Sequence, residues 1–451
     1  HHRTFLLQQL DQTLFVGTPT LWSREWNSGI FRHCLDTAIR NPQKFIFMSA
    51  TNPLWASAVL LTERMVQPMD KPTVQDIFHR FYPAYLDQYS PSPVQAKVAH
   101  NIMNCKTGAY GANVCVCEDC GFVQIHYNSC RNRCCPMCQA VPKEMWMDAR
   151  REDVLDAPYF HLVFTVPDIL NPVIYSNQRL LYDALYHAAS STISELTADP
   201  KHLGAKVGYI CILHTWGSEM NFHPHIHTIL LGGGLASNNQ WKDNGENFFL
   251  PIRVISKMFR GKYLEELKRL WEEDKLVFHG TAEKFRNHYT FKELLDSCYG
   301  MDWIPHCKKT FNGAQTVIKY LGKYTHRIAV SNHRIVRMDD DTVTFLVKDY
   351  RNEGQWKELT ISGVEFVRRF LMHVPPRRFV RIRHYGLLCS RTKSQKLTLC
   401  RNLLGCKKYL SKLRDMEMPE ILEHLYGIKV CVCKACGGHL GKPQMRMPLR
   451  C

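Results

Sequence analysis

The sequence predicts an α+β sandwich built on an antiparallel sheet, preceded by a small cysteine-rich module and followed by a basic C-terminal region. Three observations carry that prediction. Apolar, β-branched runs and helical periods follow in the order strand, helix, strand, strand, helix, and antiparallel pairing is the natural connection for the adjacent strands. Eight of the 19 cysteines crowd between Cys105 and Cys138. Lys and Arg outnumber Asp and Glu by 58 to 41, an excess of 17 positive charges that favours a polyanionic partner, nucleic acid before membrane surface.

The chain of 451 residues has room for about three domains at roughly 150 residues each. Residues 1–68 are an N-terminal extension to which no function is assigned. Met69 is read as a natural start, because Val74 to Tyr85 then forms the first amphipathic helix, broken by Pro83. Residues 69–145 make a helical and metal-binding domain: a helical pattern from Ser92 to Met103, the cysteine block to Cys138, and a more helical stretch from Lys143 to Leu155.

Residues 150–330 form the central domain. Tyr159 to Val166 (YFHLVFTV) is a buried strand stopped by Pro167, and Leu180 to Leu196 is a helix. Val207 to Trp216 and His225 to Leu231 are two further strands, the second ended by Gly232, Gly233 and Gly234. Tyr263 to Trp271 and Ala314 to Tyr324 are helices, the latter after the punctuation of Asn312 and Gly313. Residues 331–430, β-rich from Arg334 to Thr360, are read as a basic DNA-binding region, and residues 431–451 as a tail with a candidate zinc knuckle. No apolar run approaches the roughly 20 residues that cross a bilayer, and the N-terminus lacks a signal-peptide pattern. A soluble, cytoplasmic, nucleoid-associated protein with no membrane partner is expected.

Cysteines clustered at metal-ligand spacing in a long chain argue for Zn2+ over disulfides. Cys117-x-x-Cys120 and Cys135-x-x-Cys138 are two knuckles, and Gly121 after the first suits a tight metal turn. Four thiolates close the shell of the ion, so a structural role is expected. Cys105, Cys115, Cys130 and Cys134 are surplus, able to replace a nominal ligand or help build a second site. Cys433-x-x-Cys436, with Cys431, His439 and Cys451 nearby, is either a further knuckle or a pair of reduced thiols. Arg131 and Arg133, between the cysteine pairs, are placed to meet phosphates.

In Phe222-His223-Pro224-His225-Ile226-His227 the histidines recur at period two, so an extended strand turns all three to one face. Imidazoles so placed reach one divalent ion and leave positions open for a scissile phosphate. His225 and His227 are the expected pair. His214 on the preceding strand leads as third ligand, with His161, His223 and Glu219 as alternatives.

Tyr320 and Tyr324 are four apart on the helix from Ala314, with Lys323 beside them. Ala314, Val317, Ile318 and Leu321 share its apolar stripe, and both tyrosines lie on the flank, able to reach a site at the rim of the core. A tyrosine hydroxyl with a pKa of about 10 is a poor nucleophile, so it needs a polarised phosphate or a nearby cation such as Lys323.

These three motifs, SCRNRCCPMC from Ser129, HPHIHTILLGGG from His223 and KYLGKYTHRIAVSNHRI from Lys319, together resemble the insertion sequence 91 family of transposases, within the HUH superfamily of single-strand endonucleases. The resemblance covers residues 70–390. It implies a central antiparallel sheet with flanking helices and the histidines on an inner strand. It also implies Mg2+ or Mn2+ at His225 and His227, with Tyr320, Tyr324 and Lys323 in the catalytic motif. The implied chemistry needs no ATP and leaves a 5′-phosphotyrosine and a free 3′-hydroxyl. Single-stranded element ends and target DNA are the implied partners of this rolling-circle transposition. The stretch RRFVRIRHY from Arg377, with Arg378, Arg381 and Arg383 among its cations, resembles a basic segment of the same family and suits DNA tracking. The competing readings are a plasmid replication initiator or relaxase of the same chemistry, and a zinc-dependent DNA-binding regulator without catalysis.

Overall fold

The computed structural model describes residues 71–243, 250–303, 305–311, Val317, Gly322, 329–349 and 352–446. The extension of residues 1–68 lies outside the described residues, as do Tyr320, Lys323 and Tyr324.

Helix α1 (Val74–Gln88) starts at a reciprocal cap between Thr73 and Asp76, and α2 (Pro93–Met103) at one between Ser92 and Gln95. Pro83 sits inside α1 and does not break it. The rings of Tyr82, Tyr85 and Tyr89 stack along its last turns, so packing outweighs the lost hydrogen bond. Next comes a hairpin of β1 (Ala112–Val116) and β2 (Val123–Tyr127), then α3 (Ala140–Arg151).

The central sheet takes β3 (Tyr159–Thr165), β4 (Lys206–Trp216), β5 (Phe222–Leu235), β6 (Trp241–Asp243), β7 (His306–Phe311) and β11 (Ile382–Gly386). Its order is β11-β4-β5-β3-β7, with β6 on the end of β5 and every pairing antiparallel. The long strands were legible because both faces are covered, so their sequences read as continuous apolar runs. One face sends Phe160, Leu162, Phe164, Cys211, Leu213, Ile226 and Leu230 into the main core. There they meet α5 (Gln178–Ala198) and α6 (Ile252–Glu272) through Tyr182, Leu185, Tyr186, Phe259 and Tyr263; α4 (Asn171–Ser176) and α7 (His288–Gly300) flank them. The opposite face carries Tyr159, Ile210, Ile212, Ile229 and Leu231, packed with Met147 of α3, Val317, and Leu397 and Cys400 of α9 (Lys393–Leu404).

A second antiparallel sheet, β8 (Ile335–Met338), β9 (Thr342–Asp349) and β10 (Gln355–Ser362), packs with α8 (Gly363–Met372) against α1 and α2. The last elements among the described residues are α10 (Met418–Tyr426) and β12 (Gln444–Arg446). The central sheet therefore crosses the domain boundary drawn at residue 331, because β11 pairs with β4 in the register Ile382↔Ile212. The tail is likewise no free appendage: β12 adds to β1, forming the three-stranded sheet β12-β1-β2. No helix among the described residues is long and apolar enough to cross a membrane.

Candidate metal centres

The histidine site follows from sheet register. Side chains alternate along β5, so His225, His227, Ile229 and Leu231 share a face. The β4 register sets His214 opposite His225 and Ile212 opposite His227. His214, His225 and His227 are 2%, 8% and 8% exposed, and one ring nitrogen of each lies within 4.8 Å of the others. Nδ1 of His225 lies 2.7 Å from the carbonyl of His223, to which it must donate, so Nε2 is left with a lone pair turned towards Nε2 of His227, 3.0 Å away. Two cis ligands about 2.1 Å from an octahedral ion stand about 3.0 Å apart, so the residues fit a small divalent ion.

Behind the triad, Nε2 of His161 meets Nδ1 of His227 at 2.9 Å, supporting the ligand from β3. His223, the outermost of the alternating histidines, turns instead to Asp168 at 3.2 Å. Glu219 interacts with Asn221 and is outside the cluster. Trp216 stacks on His214 with ring centroids 4.7 Å apart. Beyond Trp216, His373 holds Thr215 and donates to the carbonyl of Met220, and burial lowers its pKa to about 4.

The cysteines do not divide as expected from the two N-terminal knuckles. Cys135 and Cys138 group with Cys105 and Cys130, whereas Cys117 and Cys120 group with Cys433 and Cys436. The hairpin forces this division. It carries Cys117 and Cys120 at its tip and returns the chain to its base, where Asn128 pairs with Lys106 beside Cys105. Five residues of strand set the two ends about 17 Å apart. In the basal cluster Sγ of Cys138 lies 3.5 Å from Cys105 and from Cys130. Thiolates about 2.3 Å from a tetrahedral zinc ion stand about 3.8 Å apart, so these four residues fit zinc and leave no open position. The sequence did hold a signal for the other grouping: Cys120-Gly121 and Cys436-Gly437 close knuckles of the same CxxCG form, and Cys135-x-x-Cys138 lacks the glycine.

Comparison with known proteins bears on both kinds of site. Residues 77–166 match a family model described as a transposase zinc-binding domain, and residues 208–396 one described as a putative transposase. The chain is 40% identical over 369 residues to the putative transposase y4qJ of Sinorhizobium fredii, covering 81% of this chain and 93% of that protein. The chain belongs to the insertion sequence 91 family of transposases. It is also 30% identical over 309 residues to the transposase for insertion sequence element IS801 of Pseudomonas savastanoi pv. phaseolicola, covering 67% of this chain and 72% of that one. Among solved structures it is similar to the conjugative relaxase TrwC in complex with OriT DNA, at 14% identity and a TM-score of 0.20, over 38% of this chain and 68% of that chain.

Two residues of the transposase's tyrosine segment are described, and both lie on the histidine face. Val317 is buried with Ile210, Ile212 and Ile229. Gly322 presses on Met147 of α3 so closely that an added Cβ would overlap the Met147 sulfur.

The five basic residues expected to meet DNA divide into those with contacts inside the fold and those that are open. Arg133 donates to the carbonyls of Phe379 at 2.6 Å and Pro376 at 3.3 Å, tying the cysteine block to the strand β11 approach. Arg383 pairs with Asp183 and lies 4.0 Å over the Tyr186 ring. Its parity on β11 points it to the helix-covered face, so it stabilises the sheet. Arg381 is half-buried and lines a small cavity with Cys134, Trp216 and His373. Arg131 and Arg378 are exposed, each at a left-handed turn with φ of 53° and 59°.

Proposed function

We propose that the transposase cuts and rejoins single-stranded DNA through a tyrosine nucleophile at the histidine triad. The observation that supports it best is the convergence of three buried imidazoles on the sheet face where Val317 and Gly322 anchor the tyrosine segment. His214, His225 and His227 would hold Mg2+ or Mn2+, which when bound polarises the scissile phosphate. An all-nitrogen donor set favours Mn2+ over Mg2+.

The hydroxyl oxygen of Tyr320 or Tyr324 attacks phosphorus and forms the phosphotyrosine bond at the 5′ side. The bond to the 3′ oxygen breaks, and that oxygen takes a proton to leave as a hydroxyl. Lys323 neutralises the phenolate that develops before attack. One phosphodiester is exchanged for another, so no ATP is required, and reversal with a different 3′-hydroxyl joins the new strand. The second tyrosine serves the second cut, which completes rolling-circle strand transfer. Arg131 and Arg378, with the excess of 17 positive charges, favour the phosphate backbone of element ends and target.

The test is incubation with labelled single-stranded element ends and Mn2+. A covalent protein–DNA adduct is expected, lost in the Tyr320→Phe, Tyr324→Phe double variant. An adduct that persists in that variant sinks the proposal.

A further inference from the structure

The cluster at the hairpin tip lies partly outside the matched zinc-binding region, which ends at residue 166. Cys117 and Cys120 meet Cys433 and Cys436 across more than 300 residues of sequence, with sulfurs 3.5 Å apart for Cys117 and Cys436 and 3.7 Å for Cys120 and Cys433. We propose that these four cysteines hold a zinc ion of their own, and that this ion is a clasp that fastens the C-terminal residues to the N-terminal module.

The two knuckles are built alike. The backbone N–H of the first cysteine donates to the carbonyl five residues on, Cys117 to Phe122 at 2.9 Å and Cys433 to Gly438 at 2.8 Å. Each knuckle glycine donates back to the first cysteine, Gly121 to Cys117 at 3.0 Å and Gly437 to Cys433 at 2.9 Å. Both glycines need positive φ, 69° and 78°, where a side chain would strain the turn. In the second knuckle the N–H groups of Ala435 and Gly438 lie 3.4 Å from the sulfurs of Cys433 and Cys436, as donors to thiolates do.

The sulfur separations match the roughly 3.8 Å edge of a tetrahedral zinc–thiolate site and are far from the roughly 2.05 Å of a disulfide. Four thiolates this close repel one another unless a cation sits among them. The local core cannot substitute for that cation. It consists of Cys115, Cys117, Cys433 and Leu440 with Phe122 partly buried beside them, far below what holds a small module folded. Around it residues 112–118 and 439–446 interlock. The backbone N–H of Glu118 donates to the His439 carbonyl at 3.1 Å and that of Gly441 to the Val116 carbonyl at 2.9 Å, and β12 pairs with β1 from Ala112↔Arg446 to Val114↔Gln444. Four protein ligands leave no position for water or substrate, so the ion is structural. The hairpin module is thus complete only once residues 433–446 have been made and have returned to it.

Zinc content of the full chain decides the matter, measured in a His225→Ala, His227→Ala background so that the triad does not contribute. Two zinc ions per chain are expected, falling to one in Cys433→Ser, Cys436→Ser. Trypsin should then cut at Lys429 or Lys434 at least about tenfold faster. Cys431→Ser, a neighbour outside the cluster, should keep two. If the double variant fails to fold, Cys436→His, which can still ligate, is compared with Cys436→Ser: two ions against one is expected. One zinc ion in the parent, or equal zinc content in Cys436→His and Cys436→Ser, overturns the clasp.

Discussion

The histidine triad and the cysteine module are both metal-ligand sets, yet they are held in opposite ways. The triad lies on a sheet with an extensive core on one face and a smaller one on the other, and strand register presents its nitrogens before any ion arrives. The hairpin tip has a handful of buried residues, too few to hold its shape without ligation at its sulfurs, whereas Cys105, Cys134 and Cys135 at its base lie in the core shared with α1, α2 and α8. The triad should therefore keep its fold without metal, and the hairpin tip should not. A weakly held, exchangeable ion suits chemistry, and a tightly held, closed one suits architecture.

The largest effect should come from stripping metal with a strong chelator. Zinc binding to such sites is worth about 10–16 kcal/mol of folding free energy. The hairpin should lose protease resistance around residues 112–127 while the main-core tryptophan fluorescence, from Trp303 in particular, changes little. Simultaneous loss of both signals would break the comparison.

Next is the support of the triad. His161→Ala should weaken Mn2+ binding by about 10- to 100-fold with adduct formation falling in parallel, through loss of the contact that orients His227. Restored adduct yield at raised Mn2+ would show that His161 acts through the metal, and a deficit that no Mn2+ concentration repairs would show that it does not.

Gly322→Ala should cost about 1–3 kcal/mol of overpacking against Met147. Melting temperature and adduct yield should fall together while Mn2+ affinity stays unchanged, and Met147→Ala should relieve part of the loss. No rescue would mean that the tyrosine segment is not seated by this contact.

The smallest effect concerns pH. Burial holds His373 neutral with a pKa of about 4, against about 6.5 in the unfolded chain. Between those values the unfolded state binds more protons, so this contribution to stability is complete above about pH 6.5 and is progressively lost as pH falls towards 4. Thermal melts should show that slope, and it should flatten in His373→Gln.

Local periodicity made much of the fold legible. The runs at Tyr159, Val207 and His225 are strands because β-branched and apolar residues cover both faces, and alternation alone put His225 and His227 on one side. Pro83 misled because a proline signal is local, whereas the aromatic stack that carries α1 past it is a packing effect. Arg383 shows a related limit: a basic run announces charge, but strand parity and Asp183 decide where this guanidinium lies.

By itself, then, the sequence determined the ligand types, the knuckles and the face of the histidine strand, all set by spacings of two to four residues that backbone geometry translates directly. Only the tertiary structure decided which candidate ligands come together. His214 meets His225 through the register of β4 on β5, and Cys117 finds Cys436 through a strand added from the far end of the chain. Such choices depend on loop closure and core packing over hundreds of residues, and no short-range spacing records them.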